Sequence, residues 1–312
     1  MTHVFVAPHP DDVALSCGGL ILGLRELGQD VAILTVFSGV GSLGVLTRYQ
    51  REALGFGPKT VPPNTEAFDG ADIHDRARTG QPLMDDVSRQ GVVLTDDLVD
   101  ARAAGDVMAE RRLEDERYAA FAEASIDFLD LADAVFRGYE GDEALLGRPR
   151  DDDPPPVDLL RREIARLEPQ KVYLPLGIGD HVDHQLVREV GIALLGETRR
   201  RVMPGPQYTG RVTFYEDFPY ACWNEFARLQ ELPADALAGL PTDVALTPEY
   251  TDIADQVERK IRGIALYESQ IERLFGSIDE MADAVRIQGT RIGRLGGTAG
   301  MAERYWATSL RS

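Results

Sequence analysis

The stretch VFVAPHPDDVALSCGG, residues 4–19, joins an apolar run to a cluster of polar side chains. Residues 3–7 are short and rich in β-branched side chains, which predicts a buried strand. Residues 13–28 have helical apolar spacing and end at Gly28, and Asp11 or Asp12 can cap that helix. A second buried strand is predicted at 31–37. Strand, helix and strand in so short a span form a βαβ unit, which implies parallel strands joined by a right-handed crossover.

The same alternation continues along the chain. Further strands are predicted at 126–132, 171–176 and 211–221, with an edge strand at 304–309. Helices are predicted at 106–124, 157–169, from about 182, and as one long amphipathic helix at 252–275. This pattern predicts an α/β fold, a Rossmann-like three-layer sandwich with a mostly parallel sheet. We expect residues 1–312 to form a single domain with a long insertion at about 39–105.

Composition excludes several classes of partner. The formal net charge of −19 argues against a nucleic-acid footprint and against docking on anionic lipid. Two widely spaced cysteines, Cys17 and Cys222, do not make a disulfide framework. The N-terminus does not resemble a signal peptide, and no apolar run reaches the length of a membrane span. We therefore expect a cytoplasmic protein with a small-molecule substrate, and the sequence leaves open whether it is a homo-oligomer.

Polar side chains follow two of the predicted strands. His9, Asp11 and Asp12 come after the first strand, and the stretch GDHVDH, residues 179–184, comes after the strand at 171–176. The carboxyl ends of parallel strands share one edge of a sheet and carry its ligands. Two imidazoles and a carboxylate with an open position suit a catalytic divalent metal. The remaining acids and histidine are then available for proton transfer.

Other interpretations fit parts of this pattern. An aspartate pair before a helix often acts only as a cap, and a histidine pair often marks only the start of a surface helix. Two histidines and a carboxylate also make the facial triad of non-haem iron(II) enzymes, although those enzymes usually have all-β folds. A catalytically degenerate module that binds metal or sugar is a further alternative. Ser16 has no G-x-S-x-G setting, which argues against a serine hydrolase. The stretch GSLG (41–44) is not a dinucleotide fingerprint, because the first strand ends in His-Pro-Asp-Asp where G-x-G-x-x-G would be required.

The chain resembles the PIG-L / LmbE-like family of metal-dependent N-acetylglucosaminyl deacetylases. The resemblance depends on APHPDDVALSCGG (7–19), on RRLEDERYAA (111–120), which is similar to an R-x-x-E-D helix, and on LPLGIGDHVDHQLV (174–187). Weaker similarities are FYEDFPYA (214–221) and KIRGIALYESQI (260–271). The matches run from residue 4 to about 272. Members of this family act on N-acetylglucosaminyl lipids, on pseudodisaccharide thiol precursors and on glycopeptide antibiotics.

The resemblance implies a role for each matching residue. It implies that His9, Asp12 and His184 bind a divalent metal, most often Zn²⁺. It implies that Asp11 is the general base while a metal-bound water attacks the amide carbonyl. His181 then polarises the amide or stabilises the oxyanion, and Asp183 orients His181. The implied reaction removes an acetyl group from an N-acetylated sugar or sugar conjugate.

Two positions depart from the family pattern. A glutamate often follows the two aspartates, and Val13 stands at that place here. Some members have a tyrosine two residues before the first histidine of the second motif, as an additional oxyanion contact, and here that residue is Gly179. We expect either that another donor replaces this tyrosine or that turnover is slower.

The insertion at 39–105 begins directly after the second strand, on the edge where we place the metal. Loops at that edge carry binding residues in α/β folds. We expect this segment to cover the site and to select the substrate. Its candidate contacts are charged or aromatic: Arg48, Tyr49, Arg51, Phe56, Phe68, His74 and Arg76.

Overall fold

A seven-stranded sheet organises the computed structural model, which describes residues 1–41, 46–54, 96–200, 211–223, 232 and 238–310. The strands are β1 (Thr2–Ala7), β2 (Asp30–Thr35), β3 (Ser125–Phe128), β4 (Lys171–Pro175), β5 (Arg211–Tyr215), β6 (Val244–Asp252) and β7 (Ala302–Leu310). Their order is β3-β2-β1-β4-β5-β7-β6. The first five strands are parallel, while β7 is antiparallel to both of its neighbours. The expected α/β fold with a mostly parallel sheet is confirmed.

Helices cover both faces of this sheet. They are α1 (Asp12–Glu26), α2 (Arg48–Ala53), α3 (Asp96–Ala122), α4 (Asp142–Leu145), α5 (Val157–Arg166), α6 (Val182–Arg200), α7 (Tyr220–Trp223), α8 (Val257–Ile264), α9 (Glu268–Leu274) and α10 (Ile278–Leu295). Because side chains alternate along a strand, Phe5 and Ala7 join a core with α1, α3, α8 and α10. Val4 and Val6 join the core on the opposite face, with α5 and α6.

Strands β1 and β4 are direct neighbours, with Val4 paired to Val172 and Phe5 to Tyr173. The order of the sheet reverses between them, since β2 and β3 lie beyond β1 and β5 lies beyond β4. Such a reversal opens a crevice at the carboxyl ends of the strands, where ligands bind in α/β folds. The turns that leave β1 and β4 are the two turns with histidines.

The C-terminal strand is not an edge strand, contrary to expectation. Strand β7 lies between β5 and β6, and β6 forms the edge. The sequence pattern did not reveal β6, which contains Pro248. Proline cannot donate to a ladder and is tolerated at a sheet edge, so its presence weakens the strand signal without excluding the strand.

The single helix expected at 252–275 is also wrong. The chain forms α8 and α9, separated by a break at Ala265–Tyr267. At this break Tyr267 is buried and its hydroxyl reaches Asp115 on α3. The helix expected at 106–124 begins earlier, at Asp96.

The insertion is described only in part. Residues 48–53 form α2, and α3 begins at Asp96, while 42–45 and 55–95 lie outside the described residues. The assignment of 1–312 to one domain stays a prediction. Within the described ranges, none of the helices combines the length and the apolar character needed to cross a membrane.

Candidate active site

The first turn of the site runs from β1 into α1. Asp11 occupies the N-cap position of α1 with φ 100° and ψ −34°, a conformation that costs a non-glycine residue about 1–3 kcal/mol. Its side chain makes no capping hydrogen bond. The capping interpretation therefore does not account for Asp11. Asp12, the first residue of α1, is buried, and its Oδ2 accepts the backbone N–H of His9 at 2.7 Å.

Helix α3 holds this strained turn through Asp115. The Asp115 carboxylate is fully buried and accepts Thr35 Oγ1 at 2.7 Å and Tyr267 Oη at 2.6 Å. It also accepts a backbone hydrogen bond from Asp11. Burial raises the pKa of Asp115 to about 6, although these hydrogen bonds oppose the shift.

The neighbouring Glu114 makes a second contact between the same helices. It accepts the Ser269 backbone N–H at 2.8 Å and the Ser269 hydroxyl at 2.6 Å. The stretches at 111–120 and 260–271, which are far apart in the sequence, thus contact each other next to the first turn.

The second turn runs from β4 into α6. Gly177, Gly179 and Asp180 have φ values of 79°, 89° and 59°, so the glycines relieve most of the strain. Asp217, just after β5, supports this turn with both oxygens. One accepts the Ile178 backbone N–H at 2.9 Å, and the other bonds His184 Nδ1 at 2.6 Å. Asp217 follows a strand as the two motifs do, so the same signal indicates it, although we assigned it no role from the sequence.

Gly179 makes room for an aromatic side chain. A Cβ at this position would lie 2.5 Å from Tyr220 Cβ, so no larger residue fits without a shift. The Tyr220 ring packs edge-on against His184, with centroids 5.6 Å apart. Burial raises the pKa of Tyr220, and the charges of Asp12 and Asp11 raise it further. A phenol therefore occupies this side of the site even though the residue at 179 is glycine.

His9, Asp12 and His184 converge at the crevice. Asp12 Oδ2 lies 3.4 Å from His9 Nδ1 and 3.4 Å from His184 Nε2. In a tetrahedral site with bonds of about 2.0–2.1 Å, neighbouring ligand atoms are separated by about 3.3–3.4 Å. His184 Nε2 is buried and makes no hydrogen bond to any described residue. Burial alone would raise the pKa of Asp12, but His184 and His9 outweigh it and lower the pKa to about 2.

His181 lies next to the other two imidazoles of the crevice, with ring centroids 4.8 Å from His9 and 5.2 Å from His184. The Asp183 backbone N–H donates to its Nδ1 at 3.2 Å. We therefore assign the proton of the neutral ring to Nε2. Burial, followed by the charge of His9, lowers the pKa of His181 well below its usual value. His181 is thus arranged as a neutral donor.

The carboxylate of Asp183 has a different partner from the expected one. Its Oδ2 bonds His9 Nε2 at 2.9 Å and accepts the Ala134 backbone N–H at 3.0 Å, and its Oδ1 accepts Arg137. The role implied by the resemblance, in which the Asp183 side chain orients His181, stays a prediction. The Asp183 carboxylate bonds His9, and its charge opposes the effect of burial, which lowers the pKa of His181. Asp183 lies at the start of α6, where its carboxylate faces His9, and it contacts His181 only through its backbone.

Negative charge surrounds His9. Asp12, Asp133 and Asp183 lie within 3.4, 3.7 and 2.9 Å of its ring nitrogens. Burial would lower the pKa of His9, but these carboxylates raise it to about 10. Burial, and then the Asp12 carboxylate, raises the pKa of Asp11 to about 8. A centre with this excess of carboxylates fits a divalent cation.

Two groups have ligand atoms that all lie within 4.8 Å of one another: His9 with His181 and His184, and His9 with Asp133 and Asp183. The Asp183 oxygens there already accept Ala134 and Arg137. That His9, Asp12 and His184 bind the metal stays a prediction. Asp133, whose Oδ2 is also 3.7 Å from Arg111 Nη1, follows β3 and was missed in the sequence.

Helix α2 packs beside this edge of the sheet. Gln50 Nε2 donates to the Val135 carbonyl at 2.9 Å, and Tyr49 Oη lies 3.4 Å from Asp142 Oδ1. Val135 adjoins Ala134, whose N–H holds Asp183. Of the candidate contacts in the insertion, Arg48, Tyr49 and Arg51 belong to this helix. The others, Phe56, Phe68, His74 and Arg76, lie outside the described residues.

Two curated proteins that are similar to this chain have the same name, 2′-N-acetylparomamine deacetylase. The chain is 28% identical over 274 residues to 2′-N-acetylparomamine deacetylase of Streptomyces fradiae, covering 86% of this chain and 73% of that protein. It is 25% identical to the 2′-N-acetylparomamine deacetylase of Niallia circulans, over 72% and 69% of the two chains.

A solved structure has a similar fold. The zinc-inhibited form of teicoplanin deacetylase Orf2 superposes with a TM-score of 0.63 at 19% identity, covering 100% of this chain and 99% of that one. A likeness at this identity supports the fold. The decisive match is to a family model, that of the PIG-L family, described as GlcNAc-PI de-N-acetylase, over residues 4–195. With more than half of its length matched and the expected N-deacetylase relatives found, the chain belongs to the PIG-L family.

Proposed function

We propose that this PIG-L family protein is a divalent metal-dependent hydrolase that removes the acetyl group from an N-acetylated aminosugar or sugar conjugate. The observation that carries the proposal is the position of Asp12 Oδ2, 3.4 Å from a nitrogen of both His9 and His184. These three residues would hold the ion. Zn²⁺ is the ion we propose, because nitrogen and oxygen ligands in this number suit it. A zinc-inhibited form of a teicoplanin deacetylase with this fold supports the binding of zinc by such a protein, not its role in the reaction.

The ion, when bound, supplies Lewis acidity and a water whose pKa is lowered to about 7. Asp11 is the group that would take a proton, since its carboxylate is adjacent to Asp12 and is not used as a helix cap. His181, as a neutral ring, would donate a hydrogen bond from Nε2 to the amide oxygen, and the proton taken up by Asp11 would go to the departing amine. Tyr220 provides a further hydroxyl beside His184.

Charge favours an aminosugar as substrate. The site contains the carboxylates of Asp12, Asp133 and Asp183, all buried, in a chain with a net charge of −19. Such a field attracts a cationic amine. The curated relatives are named for 2′-N-acetylparomamine, an acetylated aminosugar compound. We therefore place substrates of this class first.

The insertion would form part of the substrate site. Its described helix α2 contacts the residues around Ala134 that support Asp183, so the segment starts at the edge of the crevice. We propose that residues 39–105 cover the site and select the substrate. Replacing 60–90 with a short Gly-Ser linker should leave metal binding intact and change KM or substrate preference strongly. Unchanged kinetics on every substrate would contradict this role.

The function is tested by metal analysis and by acetate release. Purified protein should contain or bind one equivalent of Zn²⁺ and release acetate from 2′-N-acetylparomamine or from N-acetylglucosamine conjugates. Asp12→Ala should lose the ion, since it removes the oxygen that both imidazoles face. The matched control Asp30→Asn changes an exposed aspartate at the opposite end of β2 and should behave as wild type.

Two other outcomes would redirect the assignment. Stoichiometric zinc without acetate release from any N-acetylated sugar would favour a degenerate binding module. Oxygen consumption that requires iron(II) would favour a non-haem iron enzyme.

A further inference from the structure

The Asp183 carboxylate is a fully buried group with three donors. His9 and the Ala134 backbone N–H share Oδ2, and Arg137 donates to Oδ1. A histidine that ligates a metal usually gives its other ring N–H to a carboxylate, which fixes the orientation of the ring. Asp183 is in this position for His9, because the Nδ1 of His9 then faces Asp12.

The Arg137 side chain is held in place by further contacts. Its Nε donates to Asp153 at 3.0 and 3.2 Å, and its Nη1 donates to the Ala132 carbonyl at 2.5 Å. Its guanidinium lies 4.6 Å above the Phe37 ring. Hydrogen bonds thus hold the edge of the planar guanidinium, the Phe37 ring packs against its face, and one nitrogen is directed at Asp183.

The anchor Asp153 is itself positioned by its own segment. Tyr139 Oη donates to Asp153 at 3.0 Å and accepts the Arg150 backbone N–H at 2.9 Å. The Arg150 side chain also donates to the Arg137 carbonyl at 2.9 Å. The segment 137–153 is therefore organised around Arg137 and Asp153.

We propose that Arg137, anchored by Asp153, is a positioning residue that fixes the Asp183 carboxylate on His9 and so turns His9 Nδ1 toward Asp12. The consequence for metal binding rests on the proposed function. Without Arg137, a buried carboxylate loses its only side-chain cation other than His9 among the described contacts, and it no longer has one fixed orientation. Loss of such a supporting contact typically lowers metal affinity by about 10–100-fold.

The test compares Arg137→Gln, Arg137→Lys and the control Arg286→Gln, whose exposed pair with Glu258 lies on α10 and α8. Zn²⁺ affinity is measured by competition with a chromophoric chelator. We expect Arg137→Gln to bind Zn²⁺ about 10–100-fold more weakly. Arg137→Lys, which keeps the charge and loses the fork, should lie between it and wild type, and Arg286→Gln should match wild type. Acetate release by Arg137→Gln should largely recover at saturating Zn²⁺.

A second readout does not need the metal. Imidazole ¹⁵N NMR of the metal-free protein, assigned among five histidines with His9→Gln, reports which His9 nitrogen carries the bonded proton. We expect the His9 signals to change in Arg137→Gln. Circular dichroism shows whether Arg137→Gln folds. If it does not, Asp153→Asn tests the same contact, because it removes the residue that anchors Arg137, at a partly exposed position. We expect this variant to show the same changes in zinc affinity and in the His9 signals, but smaller ones.

The outcomes separate this proposal from the proposed function. Zn²⁺ affinity within twofold of wild type together with unchanged His9 signals, in a folded variant, would overturn the role of Arg137. Wild-type protein that binds Zn²⁺ tightly but deacetylates nothing would overturn the proposed function and leave the role of Arg137 supported by its affinity change.

Discussion

The two turns that build the site differ in how they are held in place. In the first turn, Asp11 adopts φ 100° without a glycine, and hydroxyls of Thr35 and Tyr267 hold the Asp115 carboxylate behind it. In the second turn, Gly177 and Gly179 relieve the strain, and the support is ionic. Asp217 bonds His184, and Arg137 bonds Asp183.

This difference corresponds to a division of labour. The second turn has carboxylate partners on its histidine, which suits a residue that must ligate a cation with a fixed ring. The first turn stores strain at Asp11, and strain of this kind persists where the surrounding structure determines it. We infer that the strain and support of the first turn serve Asp11, the proposed proton-transfer group, while Asp217 and Asp183, which support or belong to the second turn, fix the rings of the proposed ligands His184 and His9.

The largest expected effect is that of Asp11→Asn. It should retain Zn²⁺ and lose about 10²–10⁴-fold in kcat, because a general base is removed while the ligands remain. Acetate release and zinc content measured on the same sample check this. If Asp11→Asn lost the metal while Asp12→Ala kept it, the roles of the two adjacent aspartates would be reversed.

His181→Ala and Asp183→Asn should have different effects on zinc binding and on chemistry, although both residues belong to the second turn. His181→Ala should keep Zn²⁺ and slow the chemistry, since His181 is a donor. Asp183→Asn should weaken Zn²⁺ binding, since the Asp183 carboxylate contacts His9. Chelator competition and kcat on each variant decide this. Equal zinc affinity in both variants would argue against our assignment of Asp183 to His9.

Asp217→Asn should weaken Zn²⁺ by about 10–100-fold, because His184 loses its carboxylate partner. The amide oxygen can still accept one hydrogen bond, either from Ile178 or from His184. The control Asp252→Asn, at the last residue of the edge strand β6, should bind zinc as wild type does. If Asp217→Asn bound zinc normally, the support of the second turn would not depend on charge.

The sequence predicted the parts of the site that follow strands. Two apolar runs indicated both turns: one is followed by His9, and the other by the turn that leads to His181. Strands β1 and β4 are neighbours, as the proposed function requires. Pairing between distant strands and contacts between side chains leave no local pattern, so the position of β7 and the partner of Asp183 were not predictable. Arg137 lies in a stretch with turn residues and no periodicity, and only the folded chain shows that its charge reaches Asp183.

The smallest expected effect comes from the support of the first turn. Tyr267→Phe removes one of the hydroxyls on Asp115, at 2.6 Å, and leaves Thr35 and the Asp11 backbone as donors. A buried carboxylate that loses a donor costs about 1–3 kcal/mol in the free energy of unfolding. We expect the free energy of unfolding measured by urea denaturation to fall by that amount, with a decrease in kcat of about tenfold or less and unchanged zinc affinity. Tyr250→Phe on β6 is the control. A loss of zinc in Tyr267→Phe would show that the hydroxyl contacts also fix the ligands, and the division between the two turns would then be wrong.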